Sequence, residues 1–330
     1  MQKRLNGNVV LSPSPLPSLM TAEILVQFGI LAAALFALIK GSDWFVDSAE
    51  KIGLSMGISP FIIGVTIVAF GTSLPELASS IAAVLDGNSE IVTGVVIGSN
   101  ITNILLVLGL VTAFGSMIKM DYDIMDVDMP LLAGSAFLLW IALQDGQLSM
   151  IEALLFIAAL IVFLINTLTS STRVTNLDIK ASWKDYGLLV VSGVLVSVGA
   201  NFTQGSVSAL ADAFQVDSEI VAQTLLAIGT SLPEIVVSVT AARKGKAGLA
   251  VGNVLGSNIF NTYAVMAIPS FFGELIIPME NLGFTLPFML IATLMFVLVT
   301  IGGRITRWEG FMLLIFYVYF LQHSISMVMQ

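Results

Sequence analysis

Apolar runs recur along the whole chain, separated by short polar breaks. Read as helices, they predict ten spans, at approximately 21–50, 58–86, 91–114, 127–144, 149–168, 184–212, 217–243, 247–272, 282–303 and 308–328. A helix rises 1.5 Å per residue, so roughly 17–25 residues cross a hydrocarbon layer about 30 Å thick, and every run is long enough. The longest break without apolar character, 169–183 (TSSTRVTNLDIKASW), predicts a cytoplasmic linker between two five-helix units, 21–168 and 184–330.

Composition excludes a soluble reading of these helices. Hydrophobic residues make up 57% of the chain, charged residues 11%, and mean hydropathy is +0.97. Soluble domains carry about 25% charged residues. Such a chain cannot cover itself with polar surface, so its exterior must face a lipid bilayer. A soluble enzyme, a nucleic-acid binder and a disordered scaffold are all excluded. With no cysteine, neither a disulfide framework nor a thiolate metal site is available.

The net charge of −9 informs by location rather than by sum. Alternating the spans from an external N-terminus places Lys40, Lys51, Lys119, Arg173, Lys180, Lys184, Arg243, Lys244, Lys246, Arg304 and Arg307 at inward ends. Only Lys3 and Arg4 fall outside, and the breaks around Asp86, Glu90, Asp145, Asp217, Glu219, Glu274 and Glu280 hold no Lys or Arg. The positive-inside rule therefore predicts a multi-pass cell-membrane protein with both termini outside. Residues 1–20 contain LSPSPLPS, too proline-rich for a signal h-region, and are expected to be a disordered tail.

Residue n aligned with n+158 superimposes 69–103 (AFGTSLPE…GVVIGSNITN) on 227–261 (AIGTSLPE…GNVLGSNIFN) without a gap. Of the 35 aligned positions 17 are identical, against roughly 3 expected by chance, so the chain contains a duplicated unit. Each unit holds five spans. An odd number makes equivalent helices run in opposite directions, the inverted-repeat arrangement of secondary transporters, whose site lies near the midplane.

Gly71-Thr72-Ser73-Leu74-Pro75-Glu76 and Gly229-Thr230-Ser231-Leu232-Pro233-Glu234 each sit inside an otherwise apolar span. Proline lacks an N–H and clashes with the carbonyl four residues back, here a glycine, so helices 2 and 7 are expected to break at bilayer depth. Freed carbonyls at such a depth need a partner. A cation supplies one, because carbonyl, hydroxyl and carboxylate oxygens are what hard cations take. Ser73/Glu76 and Ser231/Glu234 also fit the S-x-x-E capping box, which accounts for a helix start. Capping does not account for an acid in hydrocarbon, at a cost of about 2.5–3.5 kcal/mol, so the reading is an ion site that also caps.

In Gly98-Ser99-Asn100-Ile101-Thr102-Asn103 and Gly256-Ser257-Asn258-Ile259-Phe260-Asn261, Ser99 shares a helical face with Asn103, and Ser257 with Asn261. Gly94 with Gly98, and Gly252 with Gly256, form G-x-x-x-G rows that admit a neighbouring helix.

Two copies of GTSLPE, each followed by GSNI-x-N, resemble the α-repeats of the sodium/calcium exchanger family of calcium/cation antiporters. The resemblance implies an all-α fold of ten spans in two inverted repeats, exchanging Na⁺ for Ca²⁺, with no cofactor beyond the transported ions. It implies Glu76 and Glu234 as the principal calcium ligands. Thr72, Ser73, Thr230 and Ser231 would share calcium and sodium binding with them. The backbone oxygens of Ala69 and Ala227 and the hydroxyls of Ser99 and Ser257 would join sodium sites, and Asn103 and Asn261 complete the centre. Some members carry Asp at one of these last positions, as does the potassium-dependent branch, so Asn at both speaks against a potassium role. The first and sixth helices of the family are thought to slide across a rigid core. Glycines 41, 53, 57, 193, 199 and 205 suit close sliding contacts.

Two glutamates about 5 Å apart repel by about 3 kcal/mol at an effective dielectric near 20. One Ca²⁺, several Na⁺ or protonation would relieve this, and mutually exclusive occupancy is what exchange requires. Calcium/proton antiport through the same glutamates is the rival reading. An intramembrane hydrolase lacks its residues: His323 stands alone near a chain end, and neither HExxH nor GxGD occurs. A passive channel would be excluded by saturable counterflow. Asp121, Asp123, Asp126 and Asp128 lack the glycine and glutamate of an EF-hand and are expected in a solvated loop. Asp43 and Asp47 match the family's G-S-D-W-F-V stretch and are expected to be structural or gating rather than ligating.

Overall fold

Long apolar segments free of internal punctuation dictate helices, and the chain is helical almost throughout. The computed structural model describes residues 17–115, 118–119, 128–169, 179–214, 228–278 and 281–328. Within them lie ten helical spans: α1 (Pro17–Ser55), α2 (Pro60–Leu85), α3 (Glu90–Phe114), α4 (Asp128–Ala142), α5 (Met150–Thr169), α6 (Trp183–Ala213), α7 (Leu232–Arg243), α8 (247–270), α9 (281–300) and α10 (Arg307–Val328). Six of these, α1, α2, α3, α5, α6 and the 283–300 part of α9, are long and apolar enough to cross a membrane. The tail at 1–16, most of the linker at 169–183 and the first part of the seventh span lie outside the described residues, although the helix already begins at Pro17.

Helix 2 corrects one expectation. The chain stays α-helical from Ala69 to Leu85 with Pro75 inside, and the irregularity falls one turn earlier, as a π turn at Gly64–Val68. Proline removes only its own bond to the carbonyl four residues back, and a helix gripped by neighbours tolerates that loss. The tightest packing falls around the π turn, before the proline. A Cβ on Gly252 would lie 2.2 Å from the Phe61 carbonyl, one on Gly256 2.2 Å from that of Val65, and one on Gly64 2.2 Å from that of Leu249. Backbone therefore packs on backbone where α2 crosses α8, as the second G-x-x-x-G row predicts. Around Gly94 and Gly98 the described residues leave open space. In the second copy the helix does stop: Thr230 and Ser231 form a turn and α7 begins at Leu232.

α1 packs along α6 more extensively than against any other element. They cross at two repeat-equivalent glycines: a Cβ on Gly41 would lie 3.2 Å from Val196, and one on Gly199 2.9 Å from the Leu38 backbone nitrogen. Of the other glycines expected there, Gly53 abuts Ile63, Gly57 occupies a left-handed turn at φ 76°, and Gly205 faces open space. Lys51 on α1 pairs with Asp185 on α6 at 2.8 Å.

The same end of α1 is tied to the loop between α7 and α8. Lys244 Nζ lies 2.8 Å from Asp47 and donates to the Asp43 carbonyl at 2.9 Å; Lys246 Nζ lies 2.7 Å from Asp47 and 2.8 Å from Glu50. Burial works against the Lys246 charge, but the Asp47 and Glu50 carboxylates outweigh it and hold its pKa above the ordinary lysine value. Asp43 and Asp47 are thus structural, as expected.

Two short strands, Ile118–Lys119 (β1) and Arg304–Ile305 (β2), pair antiparallel, and Gln147 bridges to Ile276. Ser89 Oγ accepts a hydrogen bond from the Ile276 amide. Each of these cross-connections joins loops that the alternation of spans places on the same side. Asp128 departs from the expected solvated loop. It opens α4 in a buried position, with no partner for either carboxylate oxygen among the described residues, whereas Asp121, Asp123 and Asp126 lie outside them. His323 packs against Phe284 with ring centroids 3.9 Å apart and planes tilted by 40°.

Candidate cation site

The two glutamates meet. Glu76, midway along α2, and Glu234, in the first turn of α7, are buried at 2% and 0% exposure and interact directly with each other. Ser99 on α3 donates to Glu76 Oε1 at 2.8 Å, and Ser73 on α2 donates to Glu234 Oε1 at 3.2 Å. Oε2 of each glutamate has no hydrogen-bond partner among the described residues. A hydrogen bond to a charged group contributes about 1.5–3 kcal/mol. One such bond does not offset burying a carboxylate, which costs several kcal/mol per ion, and here two like charges are buried together. Positive charge is what this arrangement lacks.

Hydroxyls surround the pair in a cross-repeat pattern. Ser99 Oγ lies 3.0 Å from Thr230 Oγ1, and at the equivalent positions Thr72 Oγ1 lies 3.5 Å from Ser257 Oγ. Thr72 Oγ1 is also 3.3 Å from the Ala69 carbonyl. Asn103 and Asn261 are buried, and both amide atoms of each lack a partner among the described residues. Ser231 is buried, and its hydroxyl has no partner among the described residues. Eight of the twelve expected ligands, Glu76, Glu234, Thr72, Ser73, Thr230, Ser99, Ser257 and Ala69, are thus linked by contacts around one centre; Ser231, Asn103 and Asn261 are buried without a contact to it among the described residues, and Ala227 lies outside them.

Neither serine caps its helix. Ser73 reaches across to the other copy's glutamate because the helix amides around it are already paired, and Ser231 makes no side-chain capping bond at the start of α7. The capping part of the sequence reading is thus corrected, and the ion-site part loses its competitor.

Three features escaped the sequence. At Asn103–Leu108 and Asn261–Val265 the helix widens into a π turn, each beginning on a motif asparagine. Such turns loosen the i→i−4 ladder and recur at functional sites, and no residue preference announces them. Asn100 and Asn258 are structural instead: Asn100 Nδ2 donates to Thr262 Oγ1 at 3.0 Å, and Asn258 Nδ2 to the Val254 carbonyl at 2.6 Å. Asn253, buried on α8, accepts from Thr72 Oγ1 at 3.3 Å and donates to Ser238 Oγ at 2.9 Å. Its only sequence signal is polarity in one copy where Val95 stands in the other.

A cavity of about 880 Å³ between α1, α2, α6 and α7 reaches Glu76 and Thr230. Phe45, Phe70, Leu189 and Val194 give it a mainly apolar wall. No group of three or more His, Cys, Asp or Glu side chains that could hold a metal ion occurs among the described residues, so the chemistry is that of two carboxylates amid neutral oxygens.

Comparison with known proteins gives a consistent result. The family model described as "Sodium/calcium exchanger protein" matches residues 26–169 and 184–326, one match for each half. The chain is 36% identical over 349 aligned positions to the sodium/calcium exchanger MaX1 of Methanosarcina acetivorans, covering 90% of this chain and 98% of that one. It is 33% identical to the inner membrane protein YrbG of Escherichia coli, over 75% of this chain and 80% of that one. Among solved structures, the sodium-calcium exchanger NCX_Mj superposes with a TM-score of 0.79 at 31% identity, over 90% of this chain and 97% of that one.

Proposed function

The chain belongs to the sodium/calcium exchanger family, a family of membrane ion exchangers, and on that premise we propose that it exchanges Na⁺ for Ca²⁺ across the cell membrane by alternating access. The observation that carries the proposal is the meeting of Glu76 and Glu234, one from each repeat copy, each buried with an oxygen that has no hydrogen-bond partner among the described residues. Two carboxylates neutralise one Ca²⁺. The same pair, with Thr72, Ser73, Thr230, Ser231, Ser99, Ser257, Asn103, Asn261 and the Ala69 and Ala227 carbonyls, offers a longer row of oxygens to several Na⁺. Both ions need the glutamates, so occupancy by one displaces the other.

Two five-span halves in inverted orientation support alternating access. The same-side pairing of loops and the crossing of α1 and α6 at equivalent glycines fit that arrangement, and the distribution of Lys and Arg supports both termini outside. α1 and α6 would slide together over the remaining spans, and the cavity beside Glu76 would be one approach to the ions.

The test is calcium-45 uptake into proteoliposomes driven by an opposing sodium gradient at fixed pH. Uptake that follows sodium supports the proposal. Uptake that ignores sodium and follows a proton gradient would assign the same glutamates to calcium/proton exchange instead.

A further inference from the structure

The ligand residues of the two repeat copies are nearly identical, but the groups behind them are not. Asn253 occupies the position equivalent to Val95, and Ser238 the position equivalent to Ser80. In the second copy Asn253 Nδ2 donates to Ser238 Oγ at 2.9 Å, leaving the amide oxygen turned toward Thr72 Oγ1 at 3.3 Å. The first copy has no such relay among the described residues: Val95 is apolar, and the buried Ser80 hydroxyl has no partner there.

Thr72 has one hydroxyl proton and several oxygens competing for it: the Ala69 carbonyl and the Asn253 amide oxygen at an equal 3.3 Å, Ser257 Oγ at 3.5 Å and the Glu234 carboxylate. The choice matters to a cation. A proton donated to Ala69 occupies a carbonyl lone pair that a cation would use. A proton donated to Asn253 leaves the Ala69 carbonyl and the Thr72 lone pairs together as bare oxygens, the donor set a hard cation takes.

We propose that Asn253 is a positioning residue that draws the Thr72 proton away from the site, making the Thr72–Ala69 flank the better of two otherwise matched sodium subsites. That flank contributes neutral oxygens only, which suits a monovalent ion. Ca²⁺ depends chiefly on the two carboxylates, which Asn253 does not touch. Transport thus acquires an asymmetry between halves that the ligands themselves lack. The proposal rests on sodium/calcium exchange as the function.

The experiment compares wild type, Asn253→Val and Asn253→Asp in proteoliposomes by two calcium-45 assays: sodium-driven uptake against sodium concentration, and calcium/calcium counterflow without sodium. Valine keeps the volume and removes the acceptor. Its sodium half-saturation should rise roughly three- to tenfold, the change equivalent to one neutral hydrogen bond, with counterflow unchanged. Aspartate keeps the acceptor, and its sodium half-saturation should not rise. A merely structural role would impair both variants and both assays together, and that result overturns the proposal, as does a sodium response unchanged in Asn253→Val. Should valine prevent folding, a raised sodium half-saturation in aspartate overturns it independently. A wild type that counterflows calcium but ignores sodium overturns this inference together with the sodium coupling beneath it.

Discussion

The Ser73 hydroxyl lies 3.2 Å from Oε1 of Glu234, although 161 positions separate the two residues in the chain. A motif that reads locally as a helix cap is spent on the other repeat's carboxylate. The two halves consequently form one centre rather than two, which is the physical requirement for ions that compete.

Charge removal at either acid should therefore disable the whole centre. Glu76→Gln and Glu234→Gln are each expected to abolish sodium-driven calcium-45 uptake. Retained uptake in either variant removes that residue from the site.

Calcium binding should also stabilise the fold. A ligand at 100 times its Kd adds about 2.7 kcal/mol to unfolding, so saturating Ca²⁺ should raise the Tm of the detergent-solubilised protein by several degrees. Glu234→Gln should show almost no calcium-dependent rise. Equal rises in variant and wild type would place calcium elsewhere.

Ser99→Ala removes the 2.8 Å hydrogen bond to Glu76 and the contact with Thr230. Loss of one charge-assisted bond, about 1.5–3 kcal/mol, corresponds to roughly ten- to a hundredfold weaker calcium affinity. Isothermal titration measures it directly, and an unchanged affinity would show that Ser99 does not support the carboxylate.

Gly256→Ala should destabilise strongly, because its Cβ would lie 2.2 Å from the Val65 carbonyl. Overpacking typically costs about 1–3 kcal/mol, and here the obstacle is backbone that cannot rotate aside. Gly94→Ala, with open space around it among the described residues, serves as the control. Thermal unfolding in detergent should separate the two clearly.

The ion pairs of α1 test its movement. The chain has no cysteine, so Asp47→Cys with Lys246→Cys provides a unique thiol pair where α1 meets the loop before α8. Joining them with a flexible bis-maleimide should stop transport while leaving calcium-dependent stabilisation intact. Full transport after joining would contradict sliding of α1.

Much of this was legible in order of residues alone. Ten apolar runs, a charge pattern confined to alternate breaks and a gapless duplication follow from local hydropathy and self-similarity. Ten helical spans and two family matches, one per half, agree with them. The motif also named the acids and hydroxyls, because carboxylates in hydrocarbon have few uses other than holding charge.

What the chain order could not decide was how the two copies treat their shared motif. Pro75 and Pro233 are the same residue in the same hexapeptide, yet the helix runs through one and starts at the other. Backbone contact with Gly252 and Gly256 falls on the stretch 61–69, where the first copy's irregularity sits, and a packing force of that kind has no local signature. Likewise Ser73 could cap or cross, and Asn253 could be a stray polar residue or the acceptor behind Thr72. Each outcome was set by the partner that tertiary packing brought within about 3 Å, since hydrogen bonds fall away steeply beyond that reach while hydropathy acts without regard to partner.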